Sequence, residues 1–124
     1  MAVRVLLVDD SKTTRAFAAA ALEAGGDVEI TEAATGIEAL KLLPRQQFDL
    51  VITDINMPDI NGLELIKFTR THEDYKNTPV LIISTEGRDT DQRRALELGA
   101  NEYIIKPFEP DQLVAAVRRH LSRY

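Results

Sequence analysis

The chain has 124 residues, 44% of them hydrophobic and 28% charged, with a net charge of −5 and no cysteine. This length suits about one domain with a real core; the acidic balance argues against nucleic acid as a direct partner, and the missing thiols exclude disulfides, thiolate metal sites and thiol catalysis. No apolar run approaches the ~18 residues of a membrane span, and no signal-peptide layout opens the chain, so a single cytoplasmic domain with no membrane partner is expected.

Arg4 to Val8 is a short apolar run, read as a first strand, that ends in Asp9-Asp10. Ser11 suits the N-cap of a helix that spaces Thr14, Phe17, Ala18, Ala21 and Leu22 at three and four residues until Gly25-Gly26 stops it. Val28 to Ala33 alternates apolar and polar residues, the pattern of a strand near a sheet edge with one wetter face. Thr35-Gly36 leads into a second helix with Ile37, Ala39, Leu40 and Leu43, closed by Pro44. Leu50 to Thr53 is apolar and β-branched, as a buried third strand requires, and Asp54 follows at once. Met57-Pro58 prevents a helix from starting there; Asn61-Gly62 then opens a third helix with Leu63 and Ile66 on its apolar side.

His72 to Thr78 is a polar surface loop, and both His72 and His120 read as solvated. Val80 to Ile83 is a fourth strand, ending at Ser84-Thr85-Glu86-Gly87. Asp89 with Gln92 makes a capping-box pattern for a fourth helix, which offers only Ala95, Leu96 and Leu98 to a core. Gly99 ends it. Tyr103 to Ile105 is a fifth strand finishing at Lys106-Pro107, and Pro110 opens a last helix with Leu113, Val114, Val117 and Leu121 on its apolar face. Five short apolar strands alternating with five helices predict an α/β fold. The expected form is a doubly wound, five-stranded parallel sheet of the flavodoxin-like order 2-1-3-4-5.

In such a sheet the residues after each strand lie along one edge, where open α/β sheets bind ligands. Asp9 and Asp10, Asp54 and Asn56, Ser84, and Lys106 all fall there. At ~5 Å and an effective dielectric of ~20, each pair of carboxylates repels by roughly 3 kcal/mol, so a cation or a retained proton is needed. Oxygen ligands without nitrogen or sulfur favour Mg2+. Carboxylates, Mg2+, an ammonium and a hydroxyl together are the parts of a phosphoryl-transfer site, with Asp54 as a nucleophile able to form an acyl phosphate. No G-x-G-x-x-G, Gly-rich phosphate loop or G-x-S-x-G elbow occurs. Asn56 stands where aspartyl phosphatases carry their general acid, which argues against turnover of external phosphoesters.

Along nearly its whole length the sequence resembles the receiver domains of two-component response regulators, most closely the stand-alone chemotaxis (CheY-like) type. The resemblance rests on Val8-Asp9-Asp10, Asp54 to Pro58, Gly62 to Ile66, Ser84 and Lys106-Pro107-Phe108, in order and each after a predicted strand. It implies that Asp54 accepts a phosphoryl group from a phosphohistidine on a sensor histidine kinase or phosphotransfer protein. It further implies that Asp10, Asp9 mostly through water, Asp54 and the backbone carbonyl of Asn56 hold Mg2+. Lys106 would pair with the phosphoryl oxygens across a cis bond to Pro107, Ser84 would swing toward the phosphoryl group, and Tyr103 would turn inward behind it. Asn56 and Glu86 would tune the phosphoryl lifetime. Thr85, in a place where the family often has alanine or glycine, bears on self-dephosphorylation and on the freedom of Tyr103.

With residues 1–124 read as one receiver domain and no effector domain, output is expected through a protein contact. The expected surface is that of the fourth helix, fifth strand and fifth helix, with Tyr103, Arg93, Arg94 and Arg118 as candidates. The donor would dock near the first helix and the loop after Lys106. The chemistry is that of a phosphoacceptor rather than of an enzyme with an external substrate. A phosphate sink and an unphosphorylated scaffold are the alternative readings.

Overall fold

The computed structural model describes residues 2–124. The strands are β1 (Val3–Val8), β2 (Val28–Ala33), β3 (Leu50–Thr53), β4 (Val80–Ser84) and β5 (Glu102–Ile105). They alternate with α1 (Lys12–Gly25), α2 (Gly36–Leu42), α3 (Gly62–Thr71), α4 (Asp89–Glu97) and α5 (Pro110–His120). All pairings are parallel and the order is β2-β1-β3-β4-β5, as the alternation of elements predicts.

Two apolar clusters lie on opposite faces of the sheet. Val5, Leu7, Ile52, Leu81 and Ile83 pack with Leu22 of α1 and Leu113 and Val117 of α5. Leu6, Val8, Val51 and Ile82 pack with Ala39 of α2, Leu65 and Ile66 of α3 and Ala95 of α4. Period-two alternation sends neighbouring residues of one strand into different layers, so β3 and β4 are buried throughout and apolar up to the closing Thr53 and Ser84. β2, at the edge, keeps a wetter face.

Helix starts follow from local hydrogen bonding. Ser11, Thr35 and Asn61 each accept a backbone N–H of the first turn, from Thr14, Glu38 and Leu63 respectively. α4 differs from expectation: Arg88, not Asp89, occupies the N-cap, and no side chain caps the helix. Asp89 is already helical, so its carboxylate acts on the dipole instead, and the Gln92 amide donates to the Gly87 carbonyl at 3.1 Å. Of the residues offered to the core, Ala95 is buried and Leu98 packs partly, whereas Leu96 is 48% exposed. Phe17 and Ile37 are likewise exposed rather than core-facing.

The far end of α4 is tied down. The Arg70 guanidinium of α3 donates to the Gly99 carbonyl at 2.8 and 3.1 Å, to the Thr78 carbonyl at 2.7 Å and to the Asn101 side chain at 2.9 Å. Gly99 has φ +113°, and a Cβ there would collide with Arg70. Three further side chains depart from the sequence reading. Arg118 donates to the Gly25 carbonyl at the end of α1 and stacks over Tyr124, away from α4. His120 contacts Glu102 at 2.8 Å, and the His72 ring sits between Phe68 and Tyr75. Neither imidazole is merely solvated.

Gly62 governs the β3–α3 turn. Its N–H donates to the Ile55 carbonyl at 2.8 Å, and a Cβ would lie 2.1 Å from the Asp54 carbonyl oxygen. Gly62→Ala is therefore expected to cost at least about 2 kcal/mol in urea unfolding, because backbone rather than a flexible side chain must move. A loss below about 0.5 kcal/mol would refute this account of the turn.

Candidate functional site

Strand register gathers the site. Val8 is paired with Thr53 across β1 and β3, so the next residues, Asp9 and Asp54, emerge side by side, and the Asp54 N–H donates to the Val8 carbonyl at 3.0 Å. Ser84 is paired with Ile105 across β4 and β5, which brings Lys106 to the same edge, its N–H donating to the Ser84 carbonyl at 2.8 Å. Ser84 and Asp9 are fully buried, Asp54 is buried, and Asp10 is exposed.

Carboxylate oxygens of Asp9, Asp10 and Asp54 lie within 4.8 Å of one another. Lys106 Nζ bridges two of these acids, at 2.7 Å from Asp9 Oδ2 and 3.1 Å from Asp54 Oδ2. The Lys106–Pro107 bond is cis. The remaining oxygens are held by backbone: Asp9 Oδ1 accepts the Ser11 N–H at 2.8 Å, and Asp54 Oδ1 accepts the Ile55 N–H at 2.7 Å.

Burial pushes the Asp54 carboxyl above its ordinary pKa; Lys106 offsets part of this, while the Asp9 charge adds to it. Burial works against the Lys106 ammonium, yet the hydrogen bond to Asp9 and the charge of Asp54 outweigh it and hold its pKa high. The lysine stays charged, and Asp54 is the strained partner.

Around this centre the Ser84 hydroxyl accepts the Glu86 N–H at 3.0 Å. The Asn56 amide donates to Glu86 Oε1 at 3.0 Å, so the two expected tuning residues meet across the mouth of the site. Tyr103 is half-buried against the α2–α3–α4 cluster, and its hydroxyl donates to the Glu86 carbonyl. Thr85 is exposed on the other side of the sheet from Tyr103. It lines an apolar cavity of about 400 Å³ with Thr13, Thr14, Phe17, Lys106 and Phe108.

Four residues beside the site were given no role there by the sequence reading. Arg15 donates to the Asp9 carbonyl and pairs with Glu32 at 2.8 Å, steadying the β1–α1 turn. Phe17 and Phe108 meet edge-on at 5.5 Å beside Lys106. Asp59 accepts backbone N–H groups from α2. The helical spacing of Phe17 signalled a core position, and nothing local distinguished Asp59 from any other turn aspartate.

Five crowded oxygen and nitrogen groups at the carboxyl edge of a 2-1-3-4-5 sheet define a class. The family model for the response regulator receiver domain matches residues 5–118, and the chain belongs to that family. Its relatives narrow the type. It is 40% identical over 112 residues to a chemotaxis protein CheY homolog of Campylobacter jejuni, covering 90% of this chain and 86% of that one. It is equally identical to chemotaxis protein CheY1 of Helicobacter pylori, with 90% of both chains covered. The solved chemotaxis response regulator CheY4 of Vibrio cholerae superposes with a TM-score of 0.90 at 36% identity, covering 98% of this chain and all of the other. The protein is a receiver domain of the CheY type, part of two-component signalling.

The raised Asp54 pKa has a sign that can be tested. An acid whose pKa is higher folded than unfolded favours folding at low pH, and that advantage is lost as the pH rises through its folded value. Without added metal, Asp54→Asn is expected to raise the melting temperature by a few degrees at pH 7, with the gain shrinking toward pH 4. Calorimetry across that range checks it; a gain that grows as the pH falls would contradict the assignment.

Proposed function

We propose that Asp54 accepts a phosphoryl group from a phosphohistidine of a sensor histidine kinase or phosphotransfer protein, and that the acyl phosphate switches a protein-binding face. The observation that carries this is the geometry of Asp54: one oxygen fixed by the Ile55 N–H, the other in contact with Lys106. Asp54 Oδ2 attacks phosphorus, the phosphorus–nitrogen bond breaks, and its electron pair leaves with the imidazole. Lys106 then shifts from a carboxylate oxygen to a phosphoryl oxygen.

The oxygen-only donor set fits Mg2+, with Asp10, Asp54 and the Asn56 carbonyl as ligands and Asp9 mostly through water. When bound, the ion neutralises charge on the phosphoryl oxygens and draws the acids together. Ser84 donates its hydroxyl to the phosphoryl group, giving up its place under the Glu86 N–H. Tyr103 is the side chain positioned to register that movement, since it holds the Glu86 carbonyl two residues on. Asn56 and Glu86, joined at the mouth, set water access and so the phosphoryl lifetime.

The donor docks over α1 and the loop after Lys106, where Phe17 and Phe108 offer the apolar surface nearest the acceptor. The output face is α4, β5 and α5, with Tyr103, Arg93 and Arg94 as contacts. Arg118, exposed on α5, joins them from the α1 side, where it also donates to the Gly25 carbonyl. The reading is of a cytoplasmic phosphoacceptor with only its own phosphorylation and dephosphorylation chemistry; among the described residues no helix is long and apolar enough to cross a membrane.

Incubation with acetyl phosphate and Mg2+, followed by intact mass measurement, tests the acceptor. One phosphoryl adduct is expected, absent without Mg2+ and in Asp54→Asn, with amide NMR shifts spreading along α4 and β5. No adduct on the folded wild type would leave a scaffold that works without phosphorylation; an adduct with an unchanged α4–β5–α5 spectrum would leave a phosphate sink.

A further inference from the structure

Asp59 is exposed, yet its carboxylate accepts three backbone N–H groups. Oδ1 accepts the Gly36 N–H at 3.1 Å and the Ile60 N–H at 2.6 Å, and Oδ2 accepts the Ile37 N–H at 2.9 Å. Gly36 and Ile37 are the first residues of α2, twenty-two and more positions away in sequence. The contact is reinforced by packing, because a Cβ on Gly36 would come within 2.8 Å of Ile60 Cβ. The hydrogen bond from Ile37, with those from Ile60 and Gly36 behind it, holds the Asp59 carboxyl below its ordinary pKa, so it is ionised at neutral pH.

The segment between this clamp and the acid is short and stiff. At one end Ile55 is fixed twice, its N–H on Asp54 Oδ1 and its carbonyl under the Gly62 N–H. At the other end stands Asp59. Between them Pro58 has its φ locked and Met57, preceding a proline, is confined to extended backbone. Asn56 itself holds Asp54 Oδ1 through its N–H at 3.4 Å and Glu86 through its side-chain amide at 3.0 Å, so its carbonyl sits on a span tethered at both ends. Asp59 closes this span from the α2 side, through the N–H groups of Gly36 and Ile37.

We propose that Asp59 is a positioning residue, which holds the Asn56 backbone carbonyl in place for Mg2+ by clamping the β3–α3 loop onto the first turn of α2. The inference rests on the proposed metal site. It assigns to α2, which carries none of the reacting groups, a share in metal affinity. The cost of leaving the carbonyl mobile falls on metal binding, since an entropy that the clamp removes beforehand must otherwise be lost when the ion is bound.

The test is a Mg2+ titration of the whole chain by NMR, with carbonyl-13C labelling, on wild type, Asp59→Ala and Asp59→Asn. Asp59→Ala is expected to bind Mg2+ five- to tenfold more weakly and to lose most of the Mg2+-induced shift at the Asn56 carbonyl. Its metal-free melting temperature should stay within a few degrees of wild type, a separation that a merely structural role would not give. Asp59→Asn, which keeps an oxygen for Gly36 and Ile60, should recover part of the affinity. Should Asp59→Ala not fold, Asp59→Ser carries the same expectation. Wild-type affinity in the folded alanine or serine variant overturns the clamp alone. Absence of any Mg2+ titration in the wild type overturns the metal reading itself, and the clamp with it.

Discussion

Three carboxylates within 4.8 Å of one another, with one ammonium between two of them, set the terms for the rest of the molecule. At a distance of this order and an effective dielectric of ~20, each like-charged pair costs roughly 3 kcal/mol, several of which would consume much of the stability of a small domain. Burial pushes the Asp54 carboxyl above its ordinary pKa and the Asp9 charge adds to that push, while Lys106 offsets part of it. The site is thus poised to gain from any added positive charge and from conversion of Asp54 into a group that shares its charge with more partners.

Holding such a cluster requires a scaffold that does not yield, and the sheet supplies it. The pairs Val8–Thr53 and Ser84–Ile105 fix where four of the functional residues emerge, and both faces of the central strands are sealed by apolar packing. Backbone N–H groups of Ser11 and Ile55 then orient the carboxylates without using another side chain. Rigid strands carry the acids, while the turns that follow them carry the groups that must adjust. Glu86, in the turn just beyond β4, is shared among Ser84, Asn56 and Tyr103.

Much of this was legible in the residues. The strands of the centre are continuous apolar runs, which admit little besides burial in a parallel sheet, and each ends in a polar residue that the topology must bring to one edge. What escaped was decided by distant parts of the chain. Phe17 keeps helical spacing with Ala18, Ala21 and Leu22 yet is exposed, and the partner that it meets, Phe108, comes from the loop before α5. Arg118 reads as a surface cation of α5, and only the approach of α1 gives it the Gly25 carbonyl. The Asp89–Gln92 pattern failed through a shift of one residue in the start of α4, with Arg88 supplying the extended backbone. His120 gained a partner in Glu102 that no local pattern relates to it.

α4 has an asymmetry with a mechanical meaning. Its final turn is moored through Gly99 to the guanidinium of Arg70, whereas its first turn has no side-chain cap and leads directly from the loop that bears Glu86. Nine residues at 1.5 Å each make a rod of about 14 Å. A rod pinned at its tail and through Ala95 has its least restrained end at Asp89, next to the turn that bears Glu86.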